Sequence, residues 1–172
     1  MPWTDSEAPG LRVLLVGDDD ACAAEIARLA GARPGLRLDR VPRLTGAVPA
    51  PWPDCILVDL ASAAGPGSLA AATGTPGGPP VITVSPAAVR GDGLVALGRG
   101  AQDHLVTTGL TAGALERSVR YAVERGRGER AARDLYAAQV RARESVRLEQ
   151  ALLPVPLVGD PDVSVEVAYR AG

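Results

Sequence analysis

The sequence contains no lysine; all 18 of its basic residues are arginines. Any site that depends on a lysine ammonium is thereby excluded. Phenylalanine is also missing and only 3% of residues are aromatic, so a core has to be built from Leu, Val, Ile and Ala. Two cysteines and one histidine form no cluster with metal-ligand spacing, and Cys22 and Cys55 read as small core residues rather than a disulfide or metal pair. No apolar run approaches ~18 residues, and the first ten residues are polar and contain proline. This argues against a membrane span or secretory signal and for a cytoplasmic location, with residues 1–10 as a disordered leader. A net charge of −2 gives no electrostatic case for nucleic acid or an anionic membrane as partner.

What is present is a series of short apolar runs, each closed by a polar residue. They are residues 11–20 (LRVLLVGDDD), 54–60 (DCILVDL), 81–86 (VITVSP) and 101–108 (AQDHLVTT). Continuous apolar runs of this length suit strands covered on both faces by helices. Residues 36–41 instead alternate apolar and charged side chains, as an edge strand would. Between the strands lie helical segments at residues 21–30, capped by Asp19 or Asp20 and ended by Gly31, at 68–73, and around 94–98. Pro42, Pro49, Pro51 and Pro53 leave room for one or two helical turns at most after the second strand. Alternating strands and helices with short links predict an α/β fold, a five-stranded doubly wound parallel sheet in the order 2-1-3-4-5. The carboxyl ends of its strands open on one edge, where aspartates and a hydroxyl would converge.

From Thr111 the pattern becomes helical and stays so to about Leu153. Leu115, Val119, Ala122 and Val123 share one face, which suits a last helix packed on the sheet. Gly126 and Gly128 each cost about 1 kcal/mol relative to Ala in a helix, so a hinge or fray is expected there. Beyond it, Leu135, Ala142 and Glu149 alternate with Ala132, Gln139, Val146 and Leu153 as a heptad seam. Leu135, Ala142, Val146 and Leu153 are the expected contacts of a coiled-coil homodimer; a solvated single helix is the alternative. Pro154 and Pro156 end the segment.

The order of these features, acids after the first strand, Asp59 after the third, Ser85 after the fourth, resembles the receiver domain of bacterial response regulators. The resemblance covers residues 11–125, and its strongest local match is residues 100–110 (GAQDHLVTTGL). It implies that Asp59 is the phosphoacceptor, and that Asp18, Asp59 and the backbone carbonyl of Ala61 hold Mg²⁺. It implies further that Ser85 is the switch hydroxyl and that His104 stands where an aromatic ring swings inward. Two positions depart from the pattern: Gly17 falls where the first acid belongs, and Thr107 falls where the family has its lysine. Thr107 cannot give the charge-assisted bond of a lysine, worth about 1.5–3 kcal/mol. Mg²⁺ is therefore expected to bind weakly or not at all, and the receiver to be degenerate. No G-x-G-x-x-G or Walker loop follows Val16 to support a nucleotide-binding reading.

Residues 148–171 (LEQALLPVPLVGDPDVSVEVAYRA) are similar to the entrance of bacterial PPM-type serine/threonine phosphatases, whose metal-binding Gly-Asp motifs come later. Asp160 and Asp162 beside Pro161 read as turn residues. The expected organisation is a receiver-like domain over residues 11–125, a signalling helix over 126–153 and a phosphatase stub over 154–172. The expected function is that of a regulatory and dimerisation module without catalytic turnover, controlling a downstream phosphatase domain and answering to a histidine kinase or a small molecule. The alternative is a phosphorylation-competent receiver that accepts a phosphoryl group on Asp59 with an arginine as substitute cation.

Overall fold

The computed structural model describes residues 10–46, 48, 51–86 and 92–152. The expected leader, the phosphatase-like stub and Leu153 fall almost wholly or wholly outside these residues. Five parallel strands, β1 (Leu11–Val16), β2 (Leu36–Val41), β3 (Cys55–Asp59), β4 (Val81–Ser85) and β5 (Asp103–Val106), form one sheet in the order β2-β1-β3-β4-β5. The helices are α1 (Asp20–Gly31), α2 (Gly65–Thr73), α3 (Asp92–Gly98) and α4 (Ala112–Leu152). The order is the one the sequence implies.

Strand parity explains the two cores. Val13, Leu15, Cys55, Leu57, Ile82 and Val84 point to one face and pack with Ile26 and Leu29 of α1 and with Leu115, Val119 and Val123 of α4. Leu14, Val16, Ile56, Val58 and Val81 point to the other, against Leu69 and Ala72 of α2 and Ala96 of α3. With both faces covered, β3 and β4 are buried along their whole length, which is why their sequences are continuous apolar runs. Both cysteines are buried and free, as their apolar surroundings suggest.

After β2, no helical turn occurs among the described residues. Leu44 and Val48 are instead buried in the second core, and the Leu44 amide donates to Ser68 Oγ on α2 at 3.1 Å. Leu44 and Val48 thus help cover the sheet in a segment where proline disfavours a helix. The helix α2 starts three residues before its expected beginning. Gly65 permits this, because a Cβ there would lie 2.4 Å from the Asp59 carbonyl oxygen. Asp19 caps α1 by accepting from the Ala21 amide at 2.8 Å, and Thr111 Oγ1 accepts from the Ala114 amide at 3.2 Å near the start of α4.

The hinge expected at Gly126 and Gly128 is corrected by the structure: α4 runs unbroken for 41 residues through both. Gly126 is buried against Pro80, and Arg127 pairs with Glu124 at 2.7 Å, so packing and local ion pairs hold the turn that propensity alone would loosen. The chain divides into two compact units, the first ending at Arg130 and the second beginning at Ala131. In the second, Leu135, Tyr136, Val146 and Leu148 are all more than half exposed.

Gly128 has open space around its Cα and a helical backbone. Gly128→Ala is expected to raise stability by about 0.5–1 kcal/mol and to increase helical content. Far-UV circular dichroism during a thermal melt measures both; a lower melting temperature would contradict the continuous helix.

Candidate functional site

The crevice at the carboxyl edge of the sheet centres on Asp59, the last residue of β3. It is 1% exposed. Its Oδ1 accepts from the Ala61 amide at 3.0 Å, and its Oδ2 has no hydrogen-bond partner among the described residues. Burial pushes the Asp59 carboxyl above the ordinary carboxylate range, opposed by the Ala61 and Ser62 amides and the neighbouring Cys22 thiol and reinforced by the charge of Asp19. The Cys22 thiol on α1 is itself pushed up to about 12, first by burial and then by the Asp59 charge. A buried carboxylate thus has one oxygen held by the Ala61 amide and the other without a hydrogen-bond partner among the described residues.

Gly17, directly after β1, presses on this group. A Cβ at Gly17 would lie 2.7 Å from Asp59 Cβ and 3.3 Å from Asp59 Oδ2, so this backbone accepts no side chain there. The missing acid is therefore a feature of the packing as well as of the sequence. Asp18 follows, exposed, and its Oδ1 accepts from Ser62 Oγ at 2.6 Å. Asp19 serves as the helix cap and Asp20 pairs with Arg40 at 2.8 Å.

On the other side of Asp59 the structure brings Ser85 and His104 together. Ser85 Oγ lies 3.3 Å from His104 Nε2, and Thr83 Oγ1 lies 2.9 Å from His104 Nδ1. Thr83 also donates to the Asp103 carbonyl at 3.3 Å, so its oxygen can accept from the ring Nδ1–H. Gly93 of α3 closes over the ring, where a Cβ would stand 3.1 Å from its Cδ2. The His104 ring is therefore fixed against β4. Thr107 follows β5, buried, and its hydroxyl donates to the Ser85 carbonyl at 3.3 Å. It ties two strand ends and brings no charge.

Two residues of this crevice escaped the sequence reading. Arg40 ends in a guanidinium whose Nε donates to the Gly17 carbonyl at 3.1 Å, and Ser62 holds Asp18. Only strand register could have found Arg40, because β2 must lie beside β1 for it to reach. Ser62 was visible as the one hydroxyl in a loop of small residues three positions after Asp59.

The oxygens that could hold a hard divalent cation are the carboxylates of Asp18 and Asp59 and the carbonyl of Ala61. Such donors suit Mg²⁺, which keeps several waters and takes one or two protein carboxylates. The unpartnered Asp59 Oδ2 is an acceptor such an ion would satisfy, so the residues fit the ion with one carboxylate fewer than the resemblance implies. Among the described residues no three His, Cys, Asp or Glu side chains group as a metal site, so a third protein ligand would have to be main-chain oxygen.

No protein-family model matches the sequence, and no curated protein matches it either. Solved structures do. The signal receiver domain of a Luxo repressor protein from Vibrio parahaemolyticus is similar over 72% of this chain and 97% of its own, at 20% identity and a TM-score of 0.54. A CheY-like response regulator receiver domain protein from Methanospirillum hungatei is similar over 70% and 98%, at 17% identity and a TM-score of 0.55. NtrX from Brucella abortus is similar over 73% of this chain but only 29% of its own length, at 19% identity and a TM-score of 0.59. The chain has the fold of receiver domains.

The raised Asp59 carboxyl makes a pH prediction. A group whose folded value lies above its unfolded one contributes stability that is full below the ordinary carboxylate range and is lost as pH rises through the folded value. Asp59→Asn cannot ionise, so its stability relative to wild type should grow as pH rises across that window and level off above it. Urea denaturation of both proteins over a pH series tests this; a relative stability that falls with pH would refute the assignment.

Proposed function

We propose that this chain is an atypical receiver that acts as the regulatory and dimerisation module of a signalling protein and turns over no substrate itself. The observation that carries this reading is the pairing of an intact, buried Asp59 with a Gly17 that has no room for an acid and a Thr107 whose hydroxyl is bound to the Ser85 carbonyl. Phosphoryl transfer to a carboxylate relies on cations placed around the transferred group. Asp18, Asp59 and the Ala61 carbonyl would hold Mg²⁺, which supplies charge neutralisation when bound; no lysine can assist it. On this reading binding is weak or absent, and the crevice is set in one arrangement. The second reading, a phosphorylation-competent receiver, is favoured by the unpartnered Asp59 Oδ2. Intact-mass spectrometry after incubation with Mg²⁺ and a small phosphodonor separates the two. No stable phosphoryl adduct is expected, whereas a stoichiometric adduct abolished by Asp59→Asn would establish the second reading.

The output we propose is a PPM-type serine/threonine phosphatase domain of an anti-sigma-factor antagonist pathway, on the similarity carried by residues 148–171, of which only 148–152 are among the described residues. A histidine kinase or a small-molecule regulator is the proposed input. No described helix is long and apolar enough to cross a membrane; a cytoplasmic location and the absence of nucleic-acid and membrane partners remain part of the proposal.

Dimerisation is proposed through α4. The exposed Leu135 and Val146 lie on the seam, and a helix needs an apolar face buried against something to gain from it. Gln139 and Glu149 fall at core positions of the seam, so association should be moderate. Sedimentation equilibrium over a concentration series should show a wild-type dimer that Leu135→Glu dissociates. A wild-type chain that stays monomeric at high micromolar concentration would leave α4 a single solvated helix.

A further inference from the structure

Two side chains cross the mouth of the crevice, one from each side. Arg40, at the end of β2 and 35% exposed, lies across the end of β1: its Nε donates to the Gly17 carbonyl at 3.1 Å and its Nη1 to Asp20 Oδ1 at 2.8 Å. Gly17 presents that carbonyl with no side chain beside it. Ser62, 4% exposed, donates its only hydroxyl proton to Asp18 Oδ1 at 2.6 Å and accepts from the Ala64 amide at 3.3 Å, so its direction is fixed at both ends.

A divalent cation in a crevice of carboxylates does two things: it offsets their charge, and it ties together the loops that carry them. Here a guanidinium pairs with one acid of the β1 end, Asp20, and a hydroxyl joins the loops after β1 and β3. Arg40 places a positive charge at the β1 end, bound to the Gly17 carbonyl and paired with Asp20. Ser62 joins the loop after β1 to the loop after β3 directly, through Asp18. We infer that Arg40 and Ser62 together stand in for a metal ion, holding the crevice in its closed arrangement and lowering its affinity for Mg²⁺. This deepens the atypical-receiver reading and rests on it. An approaching ion must share Asp18 with the Ser62 proton and enter the field of the guanidinium, and both effects act against it.

The test is Mg²⁺ titration of the full chain, followed by backbone amide shifts at Asp18, Asp59 and Ala61. Wild type, Arg40→Gln, Ser62→Ala and the double variant are compared, each checked for folding by circular dichroism. Each single variant should bind more tightly than wild type, and the double variant about three- to ten-fold more tightly, less so at high salt. Asp18→Asn in the double background should remove the gain, which places the ion in the crevice. A double variant that binds no more tightly than wild type would overturn the inference. So would weaker binding by Ser62→Ala, which would make Ser62 a support that orients Asp18 for the ion. If the double variant does not fold, the two single variants carry the same comparison. Failure here would leave the phosphodonor experiment untouched, and a phosphoryl adduct on Asp59 would refute the atypical reading whatever the titration gives.

Discussion

The burial of one carboxylate at the end of the central strand governs the arrangement around it. Desolvating Asp59 costs free energy that only hydrogen bonds or a nearby cation can offset. The structure supplies the amides of the loop after β3, and the loop is bent to supply them: Ala61 donates to Oδ1, and α2 begins at Gly65, close enough to touch the Asp59 carbonyl. On the opposite side the chain passes Asp59 through Gly17, where even a methyl group would collide. Two glycines thus let two backbone segments close on one acid. That closeness narrows the space in which any ligand of Asp59 must sit.

The sheet was legible because its physics is local. Runs such as CILVD and VITVS, short and rich in β-branched residues, suit covered strands, and their polar ends fall at the carboxyl edge of the sheet. The Thr111 cap and the apolar face of Leu115, Val119, Ala122 and Val123 were likewise readable from spacing alone. Three features were not, and each depends on residues distant in sequence. The segment after β2 is held by Leu44 and Val48 in a core formed by other elements. The early start of α2 depends on contact with Asp59 rather than on propensity, since its sequence GPGSLAAAT opens like a loop. The packing of α4 at Gly126 involves Pro80, on a strand-linking segment forty-six residues earlier in the chain.

The same distinction separates the site residues. Asp18, Asp59 and Ser85 could be placed at one edge from the order of strand ends and His104 through the resemblance, and the structure puts Ser85 and His104 in contact. Arg40 and Ser62 were missed because their roles exist only in the pairing of β2 with β1 and in the turn after β3. Thr107 changes meaning in the structure. As a substitution it reads as the loss of a cation; as a buried hydroxyl donating to the Ser85 carbonyl it is a joint between β4 and β5.

These joints bear on what the crevice can transmit. On one face of the sheet His104 is pinned by Thr83, Ser85 and the close approach of Gly93, so the position that a mobile ring would occupy is filled by a ring with partners on both nitrogens. On the other face Asp103, its neighbour in β5, accepts from Ser118 of α4. Adjacent residues of one short strand therefore carry hydrogen bonds to the neighbouring strand β4 and to α4. A switch needs an element with two arrangements of similar free energy, between which a ligand can choose. On the reading proposed above, the contacts at this edge favour one arrangement, and no lysine is present to reward another. On that reading the crevice holds the ends of β4 and β5 and the nearby part of α4 around Ser118 in a constant geometry.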